Sequence, residues 1–478
     1  MSRRLLALIL AASLVSAPLQ ADVLLPNLGE SSQEGLSSLQ ERQIGESAMR
    51  ELRRSGAMSE DPELVAYLRQ LGGRLLDASG ETETNFVFFP MLDRSINAFA
   101  IPGGLVGVHT GLIVLAQHES ELASVLSHEI AHVTQHHFAR LLEGQKMAPW
   151  VTLAALGLAI VAASAGKGDV AMAGLMGSQA YMIQRQLDYT YMFEQEADRL
   201  GMQTLQKAGF DQAAMPTFFD RMQKNSRLGE GNAPEFLRTH PVTYKRISDA
   251  QARLKDKPYQ QFKDSLDFLF VREKARFLQM DEQDALNYYR KTLSEKKYAH
   301  LPSHLYGLAL AQLAAFDAEG AWASLQKSKQ ALGKAHSSLE YLAGSIRLAQ
   351  KRPSDALQIF KEASKRFPAS RALVYGEIDA LIANQQLGDA LASAQYASEL
   401  YPSDAYLWQR ISKIQNARGD AVRHHQAQAE YYTRLGEYTA AIEQLQQAQN
   451  AGAGDFYLLS AIEARLKELK QAQIPLAK

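Results

Sequence analysis

Apolar residues recur at helical spacing in two stretches of the first third of the chain. Between residues 60 and 80 the pattern predicts an amphipathic helix with one apolar stripe, made of Leu64, Tyr67, Leu68, Leu71, Leu75 and Leu76. From Ser120 to about Leu142 a second helix is predicted by Leu122, Val125, Leu126, Ile130 and Val133. Between them, residues 85–89 predict a strand. Residues 98–101 and 105–108 flank a Pro-Gly-Gly turn and predict a β-hairpin.

Beyond about residue 265 the pattern is almost entirely helical and has a repeat. Asp355-Ala356-Leu357 recurs as Asp389-Ala390-Leu391, and Phe367-Pro368 recurs as Tyr401-Pro402, each 34 residues later. Ala285 and Ala321 extend the series backwards, and Ala441 belongs to a final unit that is out of phase. A helix–turn–helix unit of this length is typical of tetratricopeptide solenoids, of which we expect about four units. The alternative is an unrelated helical bundle.

The chain start has the features of a secretory signal. Met1-Ser2-Arg3-Arg4 precedes a short apolar run, and Ala21 offers a small residue at a cleavage site. We therefore expect residues 1–21 to be a cleaved signal peptide and the mature protein to be periplasmic. The alternative is an N-terminal membrane anchor, for which the run is short.

These patterns predict a mainly α protein with two domains. Residues 22–265 are expected to form an α+β domain with a small sheet, and residues 266–478 an all-α tetratricopeptide solenoid. Segment 148–182 is apolar and rich in Ala and Gly, with Pro149 near its start. Packed helices or a flap over a cleft are favoured there over a membrane span, because long aliphatic side chains are few.

Composition excludes several kinds of site and partner. The 51 basic and 52 acidic residues nearly cancel, so no overall charge favours nucleic acid as a partner. Cysteine is absent, which excludes disulfides, thiolate metal ligands and a lipidated N-terminal cysteine. Any metal site must therefore use His, Asp, Glu or water.

The second predicted helix contains His128-Glu129-Ile130-Ala131-His132. Side chains at i and i+4 project from one helical face, a separation that suits two imidazoles sharing one Zn²⁺ at about 2.1 Å. Glu129 follows the first histidine and is placed to act as the general base of a metallopeptidase. The alternative is a surface helix with two unrelated histidines.

A catalytic zinc site needs a third protein ligand. His136 continues the i+4 series, but a straight helix rotates it away from the first two histidines. The better candidate is Glu194, one turn before Asp198 on one predicted helix. Asp198 would then accept a hydrogen bond from the far nitrogen of a liganding histidine. Glu196 points elsewhere and is expected to pair with Arg199 or to face solvent.

These motifs resemble the gluzincin metallopeptidases of the HtpX and CAAX-prenyl-protease type. The resemblance consists of the His-Glu-x-x-His motif, Glu194-x-x-x-Asp198, Thr239-His240-Pro241 and Asn97-Ala98-Phe99-Ala100-x-Pro102-Gly103-Gly104, in the order of that family. The signal peptide and the repeats make the chain similar to the periplasmic BepA-type branch. The resemblance covers nearly the whole mature chain, most tightly residues 95–140 and 190–246.

The resemblance implies particular roles for these residues. His128, His132 and Glu194 would bind one Zn²⁺ per subunit, and Glu129 would be catalytic. His240 would occupy the fourth zinc position and hold the enzyme latent, or else stabilise the oxyanion. Arg246 would orient this site, with an ordinary surface arginine as the alternative.

A peptide substrate would pair as a strand with an exposed edge formed by Asn97, Ala98, Phe99 and Ala100. The alternative is a plain core hairpin with Phe99 buried.

The implied function is zinc endopeptidase and chaperone in the assembly and quality control of outer-membrane β-barrel proteins. Its partners would be unfolded or stalled outer-membrane proteins, and the assembly machinery bound through the repeats. One alternative is a repeat adaptor with a largely latent protease, and another is a membrane-embedded protease. Cleavage specificity, client, oligomeric state and activating signal stay open.

Overall fold

The computed structural model describes residues 37–145, 180–228, 235–255, 262–451 and 456–473. The predicted signal peptide, residues 1–21, lies outside these ranges, and so does segment 148–182 up to residue 179. Within the described ranges, no helix is both long and apolar enough to cross a membrane.

From residue 37 onward, two helices precede the sheet, α1 (Ser38–Arg54) and α2 (Pro62–Ser79). Helix α2 begins where the Asp61 carboxylate accepts backbone hydrogen bonds, and it ends at Gly80, whose φ is 80°. An aspartate N-cap and a left-handed glycine after the last turn are favourable at these two places. The predicted apolar stripe is confirmed, because the buried residues of α2 include Leu64, Tyr67, Leu68, Leu71 and Leu75.

The sheet has three strands, β1 (Val87–Met91), β2 (Ala98–Ile101) and β3 (Leu105–His109), in the order β1-β3-β2. Strand β3 is central and pairs parallel with β1 and antiparallel with β2. The predicted hairpin is confirmed, with Gly103 and Gly104 at positive φ in its turn. The predicted strand at 85–89 begins two residues later than expected.

Strand β2 is an edge strand of this sheet. The N–H of His109 donates to the carbonyl of Asn97 at 3.0 Å, which sets the hydrogen-bond register of the hairpin. Because antiparallel pairs alternate, the N–H and C=O groups of Ala98 and Ala100 point away from β3. Phe99 is only partly buried. These backbone groups lie along the outer edge of the hairpin, next to helix α4, which packs on β2. The edge is less exposed than predicted, because Asn97 is buried and Ala98 has no exposed surface.

Three helices follow the sheet, α3 (Thr110–Leu115), α4 (Glu119–Thr134) and α5 (His137–Gln145). The prediction of one helix from Ser120 to about Leu142 was wrong after Thr134. His136 has a φ of 50°, and a left-handed residue cannot continue a right-handed helix. The apolar spacing continues across this break, which is why the pattern did not reveal it.

The described part of the first domain contains four more helices: α6 (Ala180–Lys207), α7 (Ala214–Leu228), α8 (Glu235–Thr239) and α9 (Tyr244–Ala252). Helix α6 packs along α4. The core between the helices and the sheet is continuous and includes Leu68, Val106, Leu126, Met202, Phe218 and Phe268.

The remaining helices form a solenoid-like series of antiparallel neighbours. They are α10 (Leu266–Leu278), α11 (Glu282–Ser294), α12 (Leu301–Ala314), α13 (Ala318–Leu332), α14 (Ser337–Ala349), α15 (Pro353–Arg366), α16 (Arg371–Ala383), α17 (Leu387–Leu400), α18 (Ala405–Ala417), α19 (Ala421–Leu435), α20 (Tyr438–Asn450) and α21 (Phe456–Gln473). Each helix packs against its successor from α11 onward.

The predicted repeat is confirmed by equivalent positions in successive pairs. Helices α14, α16 and α18 begin at Ser337, Arg371 and Ala405, which are 34 residues apart. The marker alanines have no exposed surface: Ala285, Ala321, Ala356 and Ala390. A small residue at this position lets two helices approach closely, and stacked pairs bury a common core.

Helix α10 belongs to both halves of the molecule. Its Phe268 and Val271 lie in the core of the first domain, whereas Phe270 lies in the core of the first repeats. Lys274 on the same helix forms a salt bridge with Asp61, the N-cap of α2, at 2.8 Å. The boundary between residues 265 and 266 stays a prediction, and this helix is where the two halves join.

Candidate metal centre

Helix α4 places three motif side chains in the interior. His128 and Glu129 are buried, and His132 is mostly buried. The Nε2 atoms of His128 and His132 lie 3.0 Å apart. Both imidazoles therefore point at one place, as the i and i+4 spacing predicts.

Helix α6 supplies two carboxylates to the same place. Glu194 Oε1 lies 3.3 Å from Nε2 of His132, and Glu194 Oε2 lies 3.4 Å from Nε2 of His128. Asp198 Oδ1 lies 3.0 Å from Nδ1 of His128, on the far side of the ring. A Cβ at Gly201 would lie 3.2 Å from the backbone nitrogen of His128, so glycine there permits the close approach of α6 to α4.

His240 closes the cluster from the loop after α8. Its Nδ1 lies 2.9 Å from Glu194 Oε1 and 3.4 Å from Nε2 of His128. The backbone N–H of His240 donates to the carbonyl of Phe236 at 2.8 Å, and the two rings stack with centroids 4.8 Å apart. The backbone and the stacking together hold the imidazole over the two other histidines.

The four side chains fit a tetrahedral zinc site. One nitrogen or oxygen atom from each of His128, His132, Glu194 and His240 lies within 4.8 Å of every other. The contacts above, from 2.9 to 3.4 Å, are close to the ligand–ligand separation of a tetrahedron with bonds of about 2.0–2.1 Å. Imidazole and carboxylate are also the donor types that zinc takes in proteins lacking thiolates.

Arg246 on α9 is buried beside the carboxylates and does not lie on the surface. Its Nε and Nη2 donate to the two oxygens of Asp198 at 2.7 and 2.8 Å. Its Nη1 lies 2.7 Å from Glu194 Oε2 and also donates to the carbonyl of Pro241 at 3.0 Å. The guanidinium thus ties both carboxylates of α6 to the loop that carries His240.

Burial and charge shift the ionisation of these groups in different directions. Burial raises the pKa of Glu129, and the neighbouring His240 and His128 oppose this only in part. Burial also acts to raise the pKa of Glu194, but the imidazoles of His240, His128 and His132 outweigh it and hold this pKa well below its usual range. Glu194 is therefore an anion able to ligate a cation, and Glu129 is a carboxylate poised to take a proton.

The two histidines of α4 also differ from each other in pKa. Burial alone would lower the pKa of His128, but hydrogen bonds with Asp198 and Glu194 raise it to about 9. Burial lowers the pKa of His132 to about 3. Binding of a cation at His128 therefore displaces a proton, which makes such binding weaker in acid.

Glu129 also faces the hairpin. A backbone hydrogen bond from Ala100 on β2 reaches its carboxylate. Asn97 is buried, and its Oδ1 has no hydrogen-bond partner within the described part of the chain. The predicted edge residues thus lie beside the buried motif, and one of them touches it directly.

Two residues of this region, His137 and Arg140, were missed by the sequence analysis. His137, the first residue of α5, has its Nδ1 2.9 Å from Nδ1 of His132. Its Nε2 lies 3.1 Å from Glu196 Oε2, which also accepts from Arg140 Nη1 at 2.9 Å. Glu196 therefore pairs with His137 and Arg140, whereas Arg199 or solvent was predicted. The available signal was the presence of His137 just beyond the motif, but its contact with His132 depends on the chain reversal at His136.

Comparisons with known proteins agree with this geometry. Residues 62–254 match the model of peptidase family M48. The beta-barrel assembly-enhancing protease of Escherichia coli K12 is 32% identical over 99% of this chain and 97% of its own. A putative beta-barrel assembly-enhancing protease of Vibrio cholerae is 40% identical over 65% of each chain. The mitochondrial metalloendopeptidase OMA1 of Schizosaccharomyces pombe is 30% identical over 38% of this chain and 50% of its own.

The domain match covers the helices that bring together the two motif histidines, Glu194 and His240, and one relative is similar from end to end. Members of the matching family are zinc-dependent peptidases. This chain therefore belongs to peptidase family M48 and is a zinc metalloprotease with a helical-repeat domain.

Proposed function

We propose that this chain is a periplasmic endopeptidase, with chaperone activity, that acts in the assembly and quality control of outer-membrane β-barrel proteins. The observation that carries the enzymatic part is the cluster of His128, His132, Glu194 and His240 around one point, with Glu129 beside it. The end-to-end similarity to a beta-barrel assembly-enhancing protease supports the biological part.

The proposed zinc ligands are His128, His132 and Glu194. Zinc, when bound, would polarise the scissile carbonyl and lower the pKa of a coordinated water to near 7. Glu129 would take the proton of the attacking water and pass it to the leaving amine, for which its raised pKa is suited. Asp198 would fix the tautomer of His128 through the 3.0 Å contact with Nδ1.

The outer edge of β2 is proposed to hold the substrate as an added strand. Ala98 and Ala100 direct backbone groups away from β3, and the edge lies beside Glu129. Main-chain pairing of this kind binds extended chains with little dependence on side chains. Asn97 and Phe99 would also contact the substrate along this short edge. We expect Asn97→Ala to raise KM more than it lowers kcat.

His240 is proposed to keep the protease latent. Its Nδ1 lies 2.9 Å from Glu194 Oε1 and 3.4 Å from Nε2 of His128, so the imidazole can take the fourth position that a catalytic zinc leaves for water. His240→Ala should therefore raise proteolysis of an unfolded substrate. The opposite result, lower activity with unchanged zinc content, would favour a role of His240 at the oxyanion.

The second candidate function is a repeat adaptor whose protease is largely latent. It is favoured by the position of His240 over the metal-binding groups, which would block the open coordination site. The repeats would dock on the β-barrel assembly machinery or its clients in either case. Tyr396 and Leu400 on α17 expose more than half of their surface and are good places for a photo-crosslinker.

One experiment separates the two functions. Glu129→Gln preserves shape and should abolish cleavage of an unfolded β-barrel protein while leaving bound zinc unchanged. A chelator should have the same effect on the parent protein. Glu295→Gln, at an exposed glutamate of the repeats, is the matched control and should cleave normally. If Glu129→Gln fully restores growth of a deletion strain under envelope stress, the adaptor function is sufficient and the endopeptidase proposal fails.

The proposal includes the domain division and the site of action. Residues 1–21 would be removed on export, residues 22–265 would form the peptidase domain, and residues 266–478 would form the partner-binding repeats. N-terminal sequencing of protein from a periplasmic extract should begin at Asp22. Recovery of the mature protein only in carbonate-washed membranes would contradict a periplasmic enzyme without a stable membrane span.

A further inference from the structure

His137 is a buried histidine that the peptidase reaction, as described above, does not use. It is 4% exposed, and its ring stacks on Phe193 with centroids 4.5 Å apart. Its two nitrogens have different neighbours, His132 on one side and Glu196 on the other. This arrangement is reached only because the chain reverses at His136, whose φ is 50°.

The proton on each ring follows from the contacts. Nε2 of His132 faces Nε2 of His128 and Glu194, where a metal ligand must offer its lone pair. Nδ1 of His132 must then carry the hydrogen and donate it to Nδ1 of His137 across 2.9 Å. His137 is left with its hydrogen on Nε2, which donates to Glu196 across 3.1 Å.

Glu196 is held in turn by Arg140. The guanidinium donates to the same carboxylate oxygen at 2.9 Å, and it lies over the Phe193 ring at 4.6 Å from the centroid. The far end of this series of hydrogen bonds, at Glu196, is therefore anchored by an ion pair with Arg140, whose guanidinium lies on an aromatic ring. The corresponding arrangement at His128 has no intervening side chain, because Asp198 contacts Nδ1 of His128 directly.

We propose that His137, anchored by Glu196 and Arg140, is a positioning residue that fixes the tautomer and the ring orientation of the zinc ligand His132. Outer partners of liganding histidines set the orientation of the ring and the basicity of its metal-facing nitrogen, and their loss costs about 10–100-fold in metal affinity or activity. His137 lies between His132 and Glu196, so this carboxylate orients the ligand through one more side chain, whereas Asp198 contacts His128 directly. The inference rests on the zinc site proposed above.

The test measures zinc affinity by competition with a chromogenic chelator. His137→Phe keeps the ring stacked on Phe193 but removes both nitrogens, and we expect about 10–100-fold weaker zinc binding. His137→Asn keeps an acceptor near the position of Nδ1, and it should restore affinity to within about 5-fold of the parent. The matched control is His136→Asn, because asparagine tolerates the left-handed backbone, and it should bind zinc normally.

A second readout separates positioning from simple destabilisation. The visible spectrum of the Co²⁺-substituted protein reports the geometry of the ligands, so His137→Phe should change it and His137→Asn should not. If His137→Phe does not fold, Glu196→Ala decides, since this side chain is partly exposed and its loss opens no buried cavity. We expect Glu196→Ala to weaken zinc binding several-fold, and Arg199→Ala on the same helix to leave it unchanged.

Parental affinity and an unchanged Co²⁺ spectrum in His137→Phe would overturn the proposal. So would equal loss of affinity in His137→Asn and His137→Phe, because the acceptor would then have no role. Failure of the parent protein to bind zinc at all would instead contradict the proposed zinc site. The two failures are therefore distinguishable.

Discussion

Arg246 holds Asp198 by two parallel hydrogen bonds, from Nε at 2.7 Å and from Nη2 at 2.8 Å. The third nitrogen of the same guanidinium, Nη1, lies 2.7 Å from Glu194. Burial acts to raise the pKa of Asp198, but Arg246 and His128 outweigh it and lower that pKa. One buried cation thus holds Asp198 ionised beside His128 and also contacts Glu194, one of the proposed ligands.

Arg246→Lys should therefore weaken zinc binding although the charge is kept. A lysine ammonium cannot reproduce the planar fork that pairs with a carboxylate at two points. We expect zinc affinity to fall about 10–100-fold, as for other outer partners of metal ligands. Arg253→Lys, at the exposed residue after α9, is the control. Equal zinc affinity in Arg246→Lys and the parent would show that the fork is not needed.

The junction of the two domains depends on Lys274. Its ammonium is buried and pairs with Asp61 at 2.8 Å and with Glu63. Lys274→Met leaves two carboxylates without their cation, which typically costs about 3–5 kcal/mol for a buried pair. Urea denaturation should show this loss. Lys297→Met, at a side chain that is 72% exposed, should change stability by less than about 0.5 kcal/mol. A loss below about 1 kcal/mol in Lys274→Met would contradict the expected role.

Glu273 predicts a particular dependence of stability on pH. Burial acts to raise its pKa, but His304 and Arg276 outweigh this and hold the pKa below its usual range. The folded pKa is then lower than the unfolded value of about 4.3, so the stabilisation is present above that pH and is lost as the pH falls through the folded pKa. Glu273→Gln should cost about 1–3 kcal/mol at pH 7 and less at pH 4.

The comparison for Glu273 is with Glu295→Gln, an exposed glutamate nearby. The free energy of unfolding is measured for the parent and both variants at the two pH values. In the differences between proteins, the contribution of groups that titrate equally in all three cancels. A difference between parent and Glu273→Gln that grows on acidification would have the wrong sign for a depressed carboxyl pKa.

The repeats contain a left-handed residue after the first helix of successive pairs. Phe316, Lys351, Gln385 and Gly419 occupy this position, with φ between 57° and 76°. The last of these is glycine. Because a residue with a Cβ pays about 1–2 kcal/mol in this conformation, Gly419→Ala should destabilise the protein by that amount. No atom lies within 4 Å of a Cβ built at Gly419, and the cost is therefore conformational rather than steric.

Gly388 provides the matched substitution for this prediction. It lies in the first turn of α17, and a Cβ there also meets no atom within 4 Å. Because its backbone is helical, Gly388→Ala should be neutral or stabilise by about 0.5–1 kcal/mol. Thermal unfolding should move the two variants in opposite directions. The same direction in both would show that φ does not decide the effect.

Periodic and local features could be predicted from the sequence. The stripe on α2, the shared face of His128 and His132, and the 34-residue repeat depend on helical geometry that neighbouring residues determine among themselves. The pairing of Glu194 with Asp198 on one face followed from the same geometry, and the structure brings both to the proposed ligands.

Contacts between residues far apart in the sequence were decided only by the tertiary structure. One backbone angle, at His136, ends α4 and brings His137 against His132. Burial of Arg246 and the place of α10 in two cores depend on helices far apart in sequence. The sequence by itself determined the shared face of His128 and His132, the pair of Glu194 and Asp198, and the repeat, because each of these has a local period. The outer partners of those residues were decided by packing, because no period in the sequence relates residues that meet only after folding.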